Sequence, residues 1–283
     1  MIRSRGIAFL LMMFALLMSD LAYSGYQDTD DLFTIEDATD VDRLVADISR
    51  RLNDRGFIVL GVINHAAAAD SVGLVLGPTQ VVLFSAPRKD TKLIRANQSI
   101  AIDLPQKILV WEDHAGEIRI KYNAPGYLTD RHNLPVKRLL RYIDRTLGQF
   151  GDVDDGLVTI DSEQSVEMTV AALRDVLTDA GFRIPFVIDH AKIAKNVRRR
   201  LRPTVTIIFG NPNVGTLLMQ NSREVALDLP QKFLVWEDRK GQVHITYNAP
   251  AFVGQRGGVQ ELDDVLNNIA KALANFANQA AMP

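Results

Sequence analysis

The chain has 283 residues, 47% of them hydrophobic and 23% charged, a composition that suits a folded protein and excludes a disordered or collagen-like one. Lys and Arg number 32 against 34 Asp and Glu, so the formal net charge is −2 and the basic excess that marks a nucleic-acid partner is missing. Cysteine is absent, which excludes thiol catalysis, thiolate metal sites, iron–sulfur clusters, disulfides and a lipidated N-terminal Cys.

Residues 1–24 read as a signal peptide. Arg3 and Arg5 precede an unbroken apolar run over 7–18, shorter than the roughly 20 residues a membrane span needs but suited to a secretory signal. Ala22 and Ser24 place small side chains before a cut between Ser24 and Gly25. The mature protein is therefore expected to be periplasmic or secreted, with no integral membrane segment left after processing.

A short strand is expected at Thr34-Ile35, then a helix in which Val41, Leu44, Val45, Ile48 and Leu52 recur at helical spacing. Thr39 or Asp40 caps that helix and Gly56 ends it. Beta-branched runs predict strands at 57–63 and 81–84. Segments 107–112 and 117–122 form a hairpin, with Asp113 entering the turn and Gly116 leaving it. Leu139, Leu140, Ile143 and Leu147 mark a closing helix.

The pattern then starts again. A shift of 125 residues lays Asp103-Leu-Pro-Gln-Lys107 on Asp228-Leu-Pro-Gln-Lys232, and Tyr122-Asn-Ala-Pro125 on Tyr247-Asn-Ala-Pro250. From Gly56 to Pro125 no gap is needed and 32 of 70 pairs are identical, which identifies two homologous domains at 26–150 and 156–283. The second repeats the strand at 158–160, the helix of Val166, Val170, Leu173 and Leu177, the strands, the hairpin and a closing helix around Leu262–Leu273 positions. Strand, helix, four strands and helix make an α+β two-layer domain.

The Ile-Asp-His-Ala of 188–191, the Pro-Thr strand of 203–209, Phe-Gly-Asn-Pro-Asn-Val-Gly-Thr of 209–216, Leu-Asp-Leu-Pro of 227–230, Val-Trp-Glu-Asp of 235–238 and Tyr-Asn-Ala-Pro of 247–250 resemble the family catalogued as domain of unknown function 302. The resemblance implies a TATA-binding-protein-like fold with helices on one face of the sheet and a tendency to pair, so the two domains are expected to pack as a pseudo-dimer. It carries no established activity, and a fold name by itself implies no DNA binding.

Candidate functional residues gather in the second repeat. Gly210-Asn-Pro-Asn-Val-Gly-Thr216 can serve as an anion-binding loop or as a tight turn, and it lacks the Lys of a Walker loop. A ligand pocket is expected around His190, Asn211, Gly215, Thr216 and Asp228, its ligand a small anion, a metal or a tetrapyrrole; the cofactor is otherwise open. His65 and His190 close equivalent strands and can meet across the pseudo-twofold as metal ligands, although no His-x-His or His-Glu-x-x-His spacing supports this. Asp103 and Asp228 sit oddly between apolar neighbours, as backbone caps or as pocket carboxylates. A second reading is a hydrolase or isomerase with His190 as base and Asp228 as its orienting acid. A third is an envelope protein that binds a partner, or a second copy, through the apolar 67–77 segment. There the second repeat has the basic Lys192, Lys195, Arg198, Arg199, Arg200 and Arg202, a solvated face or an anionic docking patch. No Gly-x-Ser-x-Gly elbow or dinucleotide fingerprint occurs.

Overall fold

The computed structural model describes residues 40–123, 125–134 and 156–283. The expected signal peptide, the strand at 34–35 and the closing helix at 139–147 lie outside the described residues.

Helix α1 (Val41–Asp54) forms on the expected stripe: Asp40 caps it by accepting the Arg43 amide, and Gly56 leaves it at φ 81°. Strands β1 (Ile58–Asn64), β2 (Thr79–Ser85), β3 (Gln106–Glu112) and β4 (Ile118–Tyr122) follow as an antiparallel sheet in sequence order. Asp113 builds the β3–β4 turn, its Oδ1 accepting the amides of Ala115 at 2.9 Å and Glu117 at 3.0 Å, with Gly116 at φ 79°. The second repeat has β5 (Leu157–Ser162), β6 (Arg183–Asp189), β7 (Thr204–Gly210), β8 (Gln231–Glu237) and β9 (Val243–Asn248) in the spatial order β5-β9-β8-β7-β6.

Several elements were not expected from periodicity. Short helices α2 (His65–Asp70) and α6 (His190–Asn196) leave the ends of β1 and β6, while α3 (Pro87–Ala96) and α7 (Pro212–Asn221) leave β2 and β7. Each of the latter pair leads into a 3-10 helix, Gln98–Ile102 or Arg223–Leu227. Helices α4 (Pro125–Arg131) and α8 (Pro250–Arg256) follow the hairpins. The second repeat adds α5 (Val166–Asp179), capped by Ser165, and a closing α9 (Asp263–Ala281).

The strand period of two divides each sheet between two cores. In the first repeat Val82, Phe84, Ile108 and Val110 pack on α1, while Val81, Leu83, Leu109 and Trp111 pack on Val225, Ala226 and Leu227 of the other repeat's 3-10 helix. The second repeat reciprocates: Phe209, Phe233 and Val235 face α5 and α9, while Leu234 and Trp236 meet Ile100, Ala101 and Ile102. The repeats are thus locked face to face by exchanged 3-10 helices. The 67–77 segment is covered from within, since Ala69 and Leu76 join the inter-repeat core and Val75 alone of its large apolar residues stands open at 84%.

Candidate functional site

The segment at 210–216 begins a helix. Asn211 caps α7 and accepts the Asn213 amide at 3.0 Å, while Pro212 takes the first turn, where a missing N–H loses nothing. Gly215 lies inside the helix, so the anion-cradling glycine loop allowed by the sequence does not form.

Helix α7 instead walls a cavity of about 620 Å³. Phe182, Ile184, Leu218, Leu229, Ile269 and Phe276 of the second repeat line it, with Ile63, His65 and Ala68 of the first. Asn211, Gly215 and Thr216 stand in its wall; His190 and Asp228 do not. The histidine there is His65, because the packing of the repeats inserts the start of α2 beneath α7. Burial lowers the pKa of His65 to about 4, against the pull of the Ala226 and Leu229 carbonyls, so the ring is neutral at pH 7. Its Nε2 and the Thr216 Oγ1 are buried without a hydrogen-bond partner.

A second cavity, with free space of only about 10 Å³, holds His190. Every residue lining it is the 125-shifted counterpart of a residue lining the large one. The two are one site in duplicate, each with its histidine supplied by the opposite repeat. In the small copy Ser85 replaces Gly210 and Asp90 replaces Gly215. The Asp90 carboxylate accepts Ser85 Oγ at 2.6 Å and the Ala86 amide at 2.9 Å, and burial pushes its pKa up to about 6. The histidines differ for a reason visible in the strands. His190 Nε2 lies 3.0 Å from Thr206 Oγ1, whose proton goes to the Ala101 carbonyl, so the ring donates. At the matching position the first repeat has Val81, which leaves His65 Nε2 unmatched.

Two sequence expectations concern the histidines. The structure does not bring His65 and His190 to one cavity, since they line separate ones, and among the described residues no group of three or more His, Cys, Asp or Glu is placed to hold a metal ion. His190 does not pair with Asp228 either, since that carboxylate is taken by Lys107 Nζ at 3.1 Å and by Arg256.

Asp228 belongs to a buried ion cluster across the pseudo-twofold. Arg131 Nη1 reaches Asp103 Oδ2 at 2.9 Å and its Nη2 reaches Asn248 Oδ1 of the other repeat at 2.8 Å. Arg256 mirrors this, binding Asp228 and crossing to Asn123 Oδ1. Burial raises a carboxylate's pKa, but the cations around Asp103 and Asp228 overcome it and hold both below the usual range. Sequence reasoning singled out the two aspartates and passed over their lysine, arginine and asparagine partners. The usable signal was the recurrence of Lys and Asn in both Asp-Leu-Pro-Gln-Lys and Tyr-Asn-Ala-Pro.

Ser99 Oγ, His132 and Asp103 form a further run, at 2.9 Å to Nδ1 and 2.7 Å from Nε2. It has the order of nucleophile, base and orienting acid. Arg131 shares the same Asp103 oxygen, which weakens the carboxylate's hold on an imidazolium, and Ser99 lines neither cavity. The run ties the first 3-10 helix to α4.

A family model described as "Domain of unknown function DUF302" matches residues 33–150 and 158–276. Proteins titled "Fluoride-specific ion channel FluC 1" from Brucella suis biovar 1 (strain 1330) and Brucella abortus biovar 1 (strain 9-941) are each 42% identical over 113 residues. That stretch is 40% of this chain and 44% and 42% of theirs, so the chain spans less than half the length of these relatives. Among the described residues no helix is long and apolar enough to cross a membrane. The crystal structure of an uncharacterized conserved protein DUF302 from Bacillus stearothermophilus aligns over 44% of this chain and 98% of its own, at 19% identity and a TM-score of 0.41.

Proposed function

The chain belongs to the DUF302 family through both of its halves, and we propose that it is an exported binding protein whose ligand sits between α7 and α9. The observation that carries this reading is an apolar cavity of about 620 Å³ with two buried, unpartnered polar atoms in its wall, His65 Nε2 and Thr216 Oγ1. Small-molecule sites commonly measure about 300–1,000 Å³ and pair apolar walls with a few polar anchors. A neutral imidazole offers no charge to a carboxylate or phosphate. The lining therefore suits an uncharged, largely hydrocarbon molecule of tetrapyrrole size or smaller. A ring that turns its proton toward the Ala226 and Leu229 carbonyls presents a lone pair, so the ligand's head is a hydroxyl or N–H donor.

The test uses N-phenyl-1-naphthylamine, a neutral apolar fluorophore with one N–H. Saturable one-to-one binding is expected, weakened at least tenfold by Gly215→Leu. At Gly215 a Cβ meets only Met219 Cε at 3.8 Å and Leu229 Cδ1 at 4.0 Å, so the leucine fills the cavity without a backbone clash. Helix propensity also favours Leu over Gly by nearly 1 kcal/mol, so the variant stays folded. Equal binding by both proteins, or no saturable binding, defeats the site. Export has its own check: the mature protein recovered from the cell envelope or medium begins at Gly25, and retention of residues 1–24 rejects it.

A further inference from the structure

The ion cluster at the pseudo-twofold is unbalanced. Lys107, Lys232, Arg131 and Arg256 surround the carboxylates of Asp103 and Asp228, and of these side chains only Arg256 reaches solvent appreciably, at 18% exposure. Asp103 is served by Arg131, and Asp228 by Lys107 and Arg256. Lys232 has no ion pair among the described residues; after burial, the largest influence on it is the like charge of the Lys107 ammonium, which exceeds the opposing pull of Asp103 or of Asp228. Burial and that neighbour both drive Lys232 to give up its proton. A small anion resolves the same conflict by balancing the charge.

Donors for it are in place. Arg131 fixes Asn248 by binding its Oδ1, and Arg256 fixes Asn123 in the same way. The amide orientations are therefore set, and both Nδ2 groups are buried with no acceptor. Asn123 and Asn248 are 5% and 1% exposed. The antiparallel registers that pair Ile108 with Tyr122 and Phe233 with Tyr247 make Lys107 the cross-strand neighbour of Asn123, and Lys232 that of Asn248. Each idle amide thus stands beside a buried ammonium on the same face of its sheet. Asp103 Oδ1 is an unpartnered acceptor in the same cluster, and its negative charge disfavours a multivalent anion.

The geometry points to a site for a small monovalent, halide-sized anion at the pseudo-twofold, held by Lys232 and Lys107 with the Nδ2 groups of Asn248 and Asn123. It is separate from the apolar cavity, whose lining includes none of these residues. The probe is chloride. With potassium chloride replacing potassium gluconate at fixed ionic strength, the melting temperature of the full chain is expected to rise and saturate as a binding isotherm. Lys232→Met removes the unpaired charge while keeping the side chain's length, so this variant is expected to melt at least as high as wild type in gluconate and to lose at least tenfold in chloride affinity. A wild-type melting temperature that does not respond to chloride, or an equal saturating response in Lys232→Met, overturns the site. If the variant fails to fold, bromide-soaked crystals of the wild type decide: an anomalous peak between Lys232 Nζ and Asn248 Nδ2 supports the site, and its absence rejects it.

Discussion

Among the positions at which the two cavities differ, one sets a carboxylate against a hydrogen: Asp90 in one repeat, Gly215 in the other. A hydrogen leaves room for a ligand, whereas a carboxylate occupies the room and must be satisfied by Ser85 and the Ala86 amide. The same residue shapes the acid response. His65 and His190 have folded pKa values near 4 against 6.5 in the free residue, so the unfolded chain binds more protons between those values and stability falls as pH drops through them. Asp90 has the opposite sign. Its folded pKa of about 6 lies above the free 3.8, so the fold gains stability as pH falls across that interval. Asp90→Asn removes the opposing group. Urea titrations between pH 6 and 4 are expected to show stability falling more steeply in the variant, by about one proton's worth of slope; parallel curves would contradict the assignment. Ser99 supplies a simpler test at this scale. Because Asp103 is shared with Arg131, a fluorophosphonate probe is expected to leave Ser99 unlabelled, and stoichiometric labelling would show that the Ser99–His132–Asp103 run activates its serine.

Among elements, the strands, the hairpin and the helices α1, α5 and α9 were legible because their apolar periods are long, with Asp40 and Ser165 as caps for the first two helices. Helices α3 and α7 were not. Asn211-Pro212 reads as turn punctuation, and the same pair is equally a cap followed by a first-turn proline; only the burial of Leu218 and Met219 decides. The 3-10 helices carry apolar residues that are buried by the opposite repeat, a partner that no local period reveals. For the same reason the sequence assigned His190 to the pocket of its own repeat, whereas the exchange of elements brings His65. The seating of α8 shows how close these contacts are. A Cβ added at Gly257 would stand 2.6 Å from Val225 Cβ and 2.7 Å from its Cα, so the helix end touches the 3-10 backbone directly. Gly257→Ala is expected to cost about 1–3 kcal/mol in chemical denaturation; an unchanged midpoint would show that α8 moves aside freely. The first repeat has His132 at the matching place and spends it on Ser99 and Asp103 instead.

At the scale of the molecule, each half is completed by the other. One face of each sheet, the lysine that pairs with Asp228 and each cavity's histidine come from across the pseudo-twofold. Residues 156–283 produced alone would expose that face, and a second copy offers the matching surface. The isolated second repeat is expected to run as a dimer in light scattering, and a stable monomer would show that the inter-repeat core is dispensable. The tandem organisation was plain in the sequence from 32 identities in 70 pairs, whereas the exchange between the halves required the packing.

The exchange also bears on how such a molecule changes over generations. In an assembly of two identical subunits any replacement appears twice, so an aspartate that closes one binding site closes both. Joining the copies in one polypeptide lifts that constraint: Asp90 could be acquired on one side while Gly215 persisted on the other. The closed copy still serves the open one by lending His65 and the floor beneath it. Covalent linkage thereby turns a symmetric pair into one open cavity and its support, with each free to vary under different selection.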